Sequence, residues 1–130
     1  MLTTAGKMIL ADLFANSATP TAFTYLAYGT GTTAEAITLT ALTTETDREQ
    51  ATCTLESTNV PNDTIRFTAI FDTATAITIA EVGIFNASTA GTMLCRELLA
   101  AGDRRLTVVG GRETIIYDII YSDGGFTEPS

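Results

Sequence analysis

The stretch Ile77–Asn86, Ile-Thr-Ile-Ala-Glu-Val-Gly-Ile-Phe-Asn, constrains the fold most, because it is the longest apolar β-type run and carries a single charge. Its apolar residues fit neither strict alternation nor a helical stripe, so the side-chain parity changes between Ala80 and Val82. A bulge or kink beside Glu81 and Gly83 is the usual cause of such a change. The stretch therefore predicts a central strand with a local irregularity.

A second β-type run follows at Thr92–Leu99, after turn-forming residues, and the two runs predict a hairpin. If Ile84 pairs with Met93, hairpin geometry places Glu81 opposite Arg96. A bidentate pair would explain how this apolar hairpin tolerates two charges. The alternative is that both side chains point to solvent. The predicted structural motif comprises Glu81, Gly83, Phe85 and Arg96.

Two further runs alternate as half-buried strands do, at Arg48–Ser57 and Thr64–Asp72, and predict a second hairpin. The first of them is expected to direct Ala51, Cys53 and Leu55 to the inside. A short helix is predicted at about residues 4–16, capped by Thr3 or Thr4. Its apolar residues recur at helical spacing: Met8, Ile9, Leu13 and Phe14.

These elements predict an all-β fold, an antiparallel β-sandwich of jelly-roll or immunoglobulin-like type with one short N-terminal helix. The chain of 130 residues is the size of one domain. We expect that domain to span residues 1–121. Residues 122–130 have linker composition and are expected to form a flexible C-terminal tail.

The last strand-like run, Glu113–Tyr121, is apolar on both faces except at Asp118. A strand of this kind is flanked by neighbours or covered by another subunit, so we expect self-association. The candidate interface residues are Ile115, Tyr117, Ile119 and Tyr121, with Phe126 of the tail as a docking residue.

The formal net charge is −8, Lys7 is the only lysine, and the six arginines are scattered, so we expect no nucleic-acid partner. No apolar run approaches the length of a membrane span, and the N-terminus lacks the features of a signal peptide. We therefore expect synthesis in a cytoplasm and no membrane partner. Cys53 and Cys95 are expected to be free thiols that act as small buried hydrophobic residues.

The chain has no histidine, which removes the commonest general base and zinc ligand. Its carboxylates show no arrangement that marks a catalytic pair, so we expect no catalytic residue, cofactor or metal site. The glycine loop that contains Gly29 and Gly31 has no following Gly-Lys-Ser/Thr, so it predicts a tight turn rather than a phosphate-binding loop.

The order of these parts resembles small structural proteins of tailed bacteriophages and archaeal tailed viruses, including the attachment domains of tail-collar fibres. The resemblance covers most of the chain. It rests on a Thr-x-Ala-Gly start before a short helix, a Gly-x-Gly loop, a Leu-x-x-Glu-x-x-Arg segment and a Glu-Val-Gly-Ile-Phe strand, found here at Thr3–Gly6, Leu26–Thr33, Leu42–Arg48 and Ile79–Ala87, followed by Gly91–Arg96.

This resemblance implies a non-enzymatic virion protein made in the host cytoplasm, a symmetric repeated subunit on the capsid surface or tail. It would bind itself and other virion proteins. No repetitive shaft follows Tyr121, which favours a decoration or adaptor subunit over a complete fibre. Two alternatives remain: a tail-fibre or baseplate adaptor, and a stand-alone β-sandwich module that binds carbohydrate or a cell surface.

Overall fold

The structure, a computed structural model, describes residues 1–17, 21–122 and 125–127; of Ser122 and residues 125–127 it describes the backbone alone. Antiparallel strands are the main regular structure of the described residues, and one α-helix precedes them. In chain order the elements are α1 (Thr4–Ala15), β1 (Tyr25–Gly29), β2 (Glu45–Gln50), β3 (Thr52–Glu56), β4 (Thr64–Thr73), β5 (Thr78–Ile79), β6 (Glu81–Phe85), β7 (Met93–Leu98), a 3-10 turn (Ala101–Asp103), β8 (Arg105–Leu106), β9 (Gly111–Ser122) and β10 (Gly125–Thr127).

The strands form two four-stranded antiparallel sheets, which confirms the predicted sandwich. The first sheet has the order β2-β1-β6-β7, and the second has the order β10-β9-β4-β3. Short strands β5 and β8 pair separately. The side chains between the sheets are tightly packed: Leu26, Phe71 and Ile84 are fully buried, and the rings of Tyr28 and Phe71 meet edge to face with centroids 4.7 Å apart.

The Ile77–Asn86 stretch is interrupted at Ala80, where the chain changes sheet, and the predicted bulge beside Glu81 and Gly83 is wrong, because β6 pairs with β1 without a register shift from Glu81 to Phe85. Strand β5 pairs with β8, whereas β6 pairs with β1 and β7 in the first sheet. Between them the Ala80 N–H donates to the Gly29 carbonyl, and the Ala80 carbonyl accepts the N–H of Leu99. All five residues of β6 are buried, so β6 is the central strand that the sequence predicts.

The predicted strand Arg48–Ser57 is divided at Ala51, so its expected inner face is partly wrong. Strand β2 belongs to the first sheet and β3 to the second, and the Ala51 N–H donates to the Thr24 carbonyl where the chain crosses. Ala51 is buried, but Cys53 is exposed and Leu55 is 63% exposed, because β3 is an edge strand. The hairpin of β3 with β4 is confirmed.

Helix α1 begins after Thr3, whose hydroxyl oxygen accepts the N–H of Gly6 at 2.9 Å. Gly6 allows the helix to approach β7, since a Cβ there would lie 2.6 Å from the Cα of Leu94. The side that packs on the core is Ile9, Leu10 and Leu13. Met8 and Phe14, expected on the apolar face, are 66% and 70% exposed, because they flank that side of the helix. None of the described helices is long and apolar enough to cross a membrane.

Part of the C-terminal tail, which was predicted to be flexible, forms a strand. The backbone of Gly125–Thr127 forms β10 and pairs with the end of β9, with Phe126 opposite Tyr121. The edge of β9 supplies backbone partners that linker composition does not reveal. Residues 123–124 and 128–130, and the side chain of Phe126, lie outside the described part of the chain.

Candidate functional site

The carboxylate of Glu81 lies at the start of β6 and is fully buried. Its Oε2 accepts the N–H of Gly31 at 2.9 Å and the N–H of Thr44 at 2.7 Å. Its Oε1 accepts the N–H of Thr43 at 2.9 Å and the Nε–H of Arg96 at 2.8 Å. Both oxygens are therefore saturated by donors from three separate segments of the chain.

Gly29 and Gly31 are required for space around this carboxylate. A Cβ on Gly31 would lie 1.8 Å from Oγ1 of Thr43 and 2.3 Å from Oε2 of Glu81, and a Cβ on Gly29 would lie 2.1 Å from the carbonyl oxygen of Thr44. The positive-φ glycines of the described chain do not include either residue. The predicted turn is thus a cradle for a carboxylate, in which glycine serves close approach rather than a left-handed backbone.

Arg96 reaches Glu81 diagonally and through Nε, so the predicted contact is confirmed, while the predicted register and the predicted bidentate geometry are wrong. Glu81 is opposite Leu98, Gly83 is opposite Arg96, and Ile84 is opposite Cys95 rather than Met93. Two one-residue offsets cause this difference: Met93 pairs with Phe85 rather than with Ile84, and the register shifts once more between Ile84 and Phe85. Glu81 and Arg96 point to the same face of the hairpin, because Glu81 and Gly83 share that face and Arg96 lies opposite Gly83.

The Arg96 side chain is 1% exposed, and its Nη1 and Nη2 are buried without a hydrogen-bond partner in the described residues. The alternative in which both charges face solvent is therefore wrong. The guanidinium depends on Glu81 for its charge compensation, because burying an uncompensated ion costs far more than burying a paired one.

The Leu42–Arg48 segment contacts the β6–β7 hairpin at both of its ends. Leu42 packs over Gly83, where a Cβ would lie 2.9 Å from its Cδ2. Arg48 stacks on the ring of Phe85 at 3.6 Å, and its Nη1 donates to the carbonyls of Ala87 and Ala90. The second motif thus fixes both the carboxylate site and the loop beyond it.

Hydrogen bonding keeps Glu81 ionised despite its burial. Desolvation raises the pKa of Glu81, but the Arg96 guanidinium and the N–H groups of Thr44, Thr43 and Gly31 outweigh it, so the pKa lies below its ordinary value. A carboxylate that is saturated and buried has no free position for a substrate or a metal. Its chemistry is structural: it joins the loop at Gly31, the loop at Thr43 and Thr44, and strand β7 at Arg96.

Sequence reasoning did not identify Thr43, Thr44 and Arg48 as partners of the hairpin. The threonines contribute backbone N–H groups, which leave no side-chain signal in a sequence. Arg48 could have been identified from the sequence, since it is the last residue of the Leu-x-x-Glu-x-x-Arg segment. It was instead expected to begin a strand, and its contact with the ring of Phe85 was not predicted.

Asp63 forms a second local site in the β3–β4 turn, which sequence reasoning also missed. Its carboxylate accepts the N–H groups of Thr58, Asn59 and Val60 at 2.8, 2.8 and 3.1 Å. The bond from Thr58 is the main cause that lowers the pKa of Asp63, and those from Asn59 and Val60 add to it. This arrangement orders the loop that follows β3 and leaves Val60 59% exposed at its tip.

The candidate interface residues on β9 lie on one face of the second sheet by alternation, but they differ in exposure. Tyr117 and Ile119 are 3% and 2% exposed and face the core, so the prediction that they form a surface contact is wrong. Alternation in β9 directs them inward. Ile115 is partly buried against the core, and Tyr121 is 54% exposed.

An apolar cleft of about 280 Å³ lies between α1 and the inner face of the second sheet. Phe14, Phe23, Cys53 and Phe67 are among its lining residues. A neighbouring cleft continues from Phe14 and Ile65 to Leu55, Val60 and Tyr121. Several of these side chains expose more than half of their surface, which groups exposed apolar area at one end of the sandwich.

Both cysteines are free thiols, as predicted; Cys95 is buried and Cys53 is exposed on β3. Within the described ranges, no cluster of three or more His, Cys, Asp or Glu side chains could hold a metal ion.

The alternative of a carbohydrate-binding module depends on exposed aromatic side chains. Tyr28 and Tyr117 are buried, so of the four tyrosines Tyr121 has the ring most exposed to solvent.

Comparison with known proteins gives one informative match. The family model described as "Podophage GP4 fiber I protein gp80" matches residues 1–108. The matched region contains every segment that meets at Glu81, and β9 and β10 lie beyond it. No curated protein and no solved structure matches the chain.

Proposed function

Because the chain belongs to the family of the podophage GP4 fibre I protein gp80, we propose that it is a non-enzymatic structural subunit of a phage tail fibre. The family match across residues 1–108 is the observation that carries this proposal. It agrees with the expected small structural protein of a tailed virus. Of the expected locations, the family supports the tail-fibre alternative and gives no support to capsid decoration.

The buried Glu81 site supports a structural rather than a catalytic role. Four of the segments that carry the resemblance meet at a carboxylate that no substrate can reach, since both oxygens are occupied and the side chain is fully buried: Leu26–Thr33, Leu42–Arg48, Ile79–Ala87 and Gly91–Arg96. These segments therefore have a sufficient explanation in folding. The chain also has no histidine for general acid–base chemistry.

We propose further that the subunit acts in several copies and contacts other virion proteins, after synthesis in the host cytoplasm. Its exposed apolar side chains support such contacts, because soluble monomers rarely group large exposed apolar residues. The net charge of −8 favours solubility while unassembled copies accumulate.

Immunogold electron microscopy of purified particles tests the tail-fibre proposal. An antibody against the exposed Asn59–Asn62 turn should label the tail, and peptide mass spectrometry should find the chain in the same particles. Labelling spread over the capsid would contradict the fibre location. Absence of the chain from purified particles would contradict a virion role altogether.

A further inference from the structure

Three apolar side chains are exposed together at one end of the second sheet. Leu106, Val108 and Val109 are 65%, 71% and 66% exposed. Residues Val108–Gly111, which we call the valine turn, lead directly into β9, which begins at Gly111. Turn positions favour Gly, Pro, Asn, Asp and Ser, so the backbone does not require two valines here. Exposed apolar residues that are grouped in this way mark a contact surface.

The valine turn is rigid. The Val108 carbonyl accepts the N–H of Gly111 at 3.0 Å, and Gly110, with φ 70°, supplies the left-handed residue of the turn. The end of β4 anchors it, since the Thr73 hydroxyl donates to the Val108 carbonyl and the Gly110 N–H donates to the Thr73 carbonyl at 2.7 Å. A turn that is held in one shape loses little conformational entropy when it binds a partner.

The opposite end of the second sheet has a largely apolar cleft of about 520 Å³, which we call the end cleft. Leu55, Val60, Asp63 and Ile65 are among its lining residues. Leu55 and Val60 are 63% and 59% exposed, so the rim of the end cleft presents apolar surface to solvent. The molecule therefore has a convex apolar surface at one end of this sheet and a concave one at the other end.

The two surfaces lie too far apart to meet within one copy. The β4–β9 ladder runs from Thr64 opposite Ile120, beside the end cleft, to Thr73 opposite Gly111, at the valine turn. The 10 residues of β4 in this ladder span about 30 Å, at about 3.4 Å per residue. The valine turn of one copy can therefore reach only the end cleft of another copy.

The charges at the two ends are complementary. The segment from Asp103 to Glu113 contains three arginines and two acidic residues, so it is net positive in a chain whose net charge is −8. The side chains of Arg105 and Arg112 are each 71% exposed. At the end cleft, hydrogen bonds lower the pKa of Asp63 below its ordinary value and keep it ionised. Its described partners are neutral donors, so the end cleft keeps a negative charge.

We propose that the valine turn of one copy docks in the end cleft of a second copy, with Val109 against the partner's Leu55 and the partner's Val60. The proposal rests on the proposed function, in which several copies assemble. The contact is heterologous, because each copy uses its turn on one neighbour and its cleft on another. Repetition of this contact closes a ring or continues as an open row of copies.

Two-fold contacts satisfy these surfaces less well. Two end clefts that face each other bring the Asp63 carboxylates of both copies together, and like charges at an interface are unfavourable. Two valine turns that face each other bring two net positive segments together and leave both clefts uncovered. The head-to-tail contact covers both apolar surfaces and places opposite charges side by side.

Mixing of two variants tests the head-to-tail contact by sedimentation. Val109→Asp removes the apolar tip of the turn and keeps the cleft, whereas Leu55→Asp alters the cleft and keeps the turn. Wild type should form assemblies larger than a dimer, and each variant alone should associate at least about tenfold more weakly. An equimolar mixture of the two should form a heterodimer and nothing larger, because one intact turn and one intact cleft remain.

Ile70→Asp is the matched control, because Ile70 is 54% exposed on β4 and belongs to neither surface. This variant should assemble as wild type does. Loss of assembly in Ile70→Asp alone would assign the contact to the outer face of the sheet and contradict the proposal. A mixture that stays monomeric while wild type assembles would also contradict it. Val60→Ser replaces Leu55→Asp if that variant melts below wild type.

Cysteine cross-linking detects the same contact when it is weak. In a Cys53→Ser background, which removes the exposed native thiol, Val109→Cys and Val60→Cys are made as separate proteins. A short bismaleimide should link the mixture into dimers. Thr40→Cys, exposed in the loop before β2, takes the place of Val109→Cys as the control and should not link to Val60→Cys. Equal linkage of both mixtures, or no linkage at high concentration, would overturn the proposal.

Failure of this contact and failure of the proposed function give different results. If purified particles contain the chain but the mixed cross-link never forms, the head-to-tail docking is wrong and the fibre role stands. If purified particles lack the chain, the fibre role is wrong, whatever the purified protein does in solution.

Discussion

Arg96 donates from Nε to Oε1 of Glu81 at 2.8 Å, although the residue directly opposite Arg96 in the hairpin is Gly83. The contact is diagonal, and both side chains are almost fully buried. Glu81 and Gly83 lie on the same face of β6, so a diagonal contact brings the two charges together. The space beside Gly83 is filled by Leu42, whose Cδ2 would lie 2.9 Å from a Cβ there.

Removal of the two partners should have unequal effects. Glu81→Ala leaves Arg96 buried without compensation and frees the N–H groups of Gly31, Thr43 and Thr44, so it should lower the free energy of unfolding by about 3–5 kcal/mol. Arg96→Ala should cost less, because those three N–H groups still bind the carboxylate. Denaturant unfolding of both single mutants and the double mutant measures this. A double mutant whose loss equals the sum of the single losses would contradict the coupling.

The cradle of Glu81 should not tolerate a methyl group. Gly31→Ala should destabilise the fold by roughly 1–3 kcal/mol, since its Cβ would overlap Thr43 and the carboxylate. Gly102→Ala is the matched control, because no atom lies within 4 Å of a Cβ there. Thermal unfolding should separate the two variants. Equal melting temperatures for Gly31→Ala and wild type would show that the loop can move away.

Acid should remove the stabilisation that ionised Glu81 gives to the fold. Its pKa in the fold lies below the ordinary value of 4.5, so its stabilisation is present above about pH 4.5 and is lost as the pH falls through the lower folded pKa. Glu81→Gln should therefore be much less stable than wild type at pH 7, and the difference should narrow below pH 4.5. A difference that stays constant across this range would contradict a pKa of Glu81 that is lower in the fold than in the unfolded chain.

Thr3 should matter more than its neighbour Thr4. The Thr3 hydroxyl accepts the N–H of Gly6 and donates to the carbonyl of Met93, so it both caps α1 and ties the helix to β7. Thr3→Ala should cost about 1–2 kcal/mol. Thr4→Ala, at an exposed position in the first turn, should be close to neutral. Equal losses in urea unfolding would contradict the assignment of the cap.

The sequence predicted the β6–β7 hairpin and the Glu81–Arg96 contact, because apolar runs, turn residues and isolated charges are visible in one dimension. It did not predict the register, since the shift between Ile84 and Phe85 depends on how the loop from Asn86 onward closes. The observed register differs from the predicted one by two residues, and side chains alternate with a period of two. Both charges therefore stay on one face, and the predicted contact still forms.

The cradle around Glu81 was less predictable than the pair itself. Its donors at Gly31, Thr43 and Thr44 are backbone groups from segments far from β6 in the chain. The division at Ala51 was also hidden, because the alternation of side-chain types in Arg48–Ser57 continues through the point where the chain changes sheet. Tyr117 and Ile119 resembled interface residues for a related reason: a strand buried by its own sandwich has the same composition as one buried by a partner.

Cryo-electron microscopy of the virus particle tests the central claim most directly, namely that this fold is a subunit of the tail fibre. The account predicts density for the two-sheet fold in repeated copies at the tail, with the Glu81 site in the interior of each subunit. Density for the fold on the capsid lattice, or a tail fibre complete without it, would contradict the account.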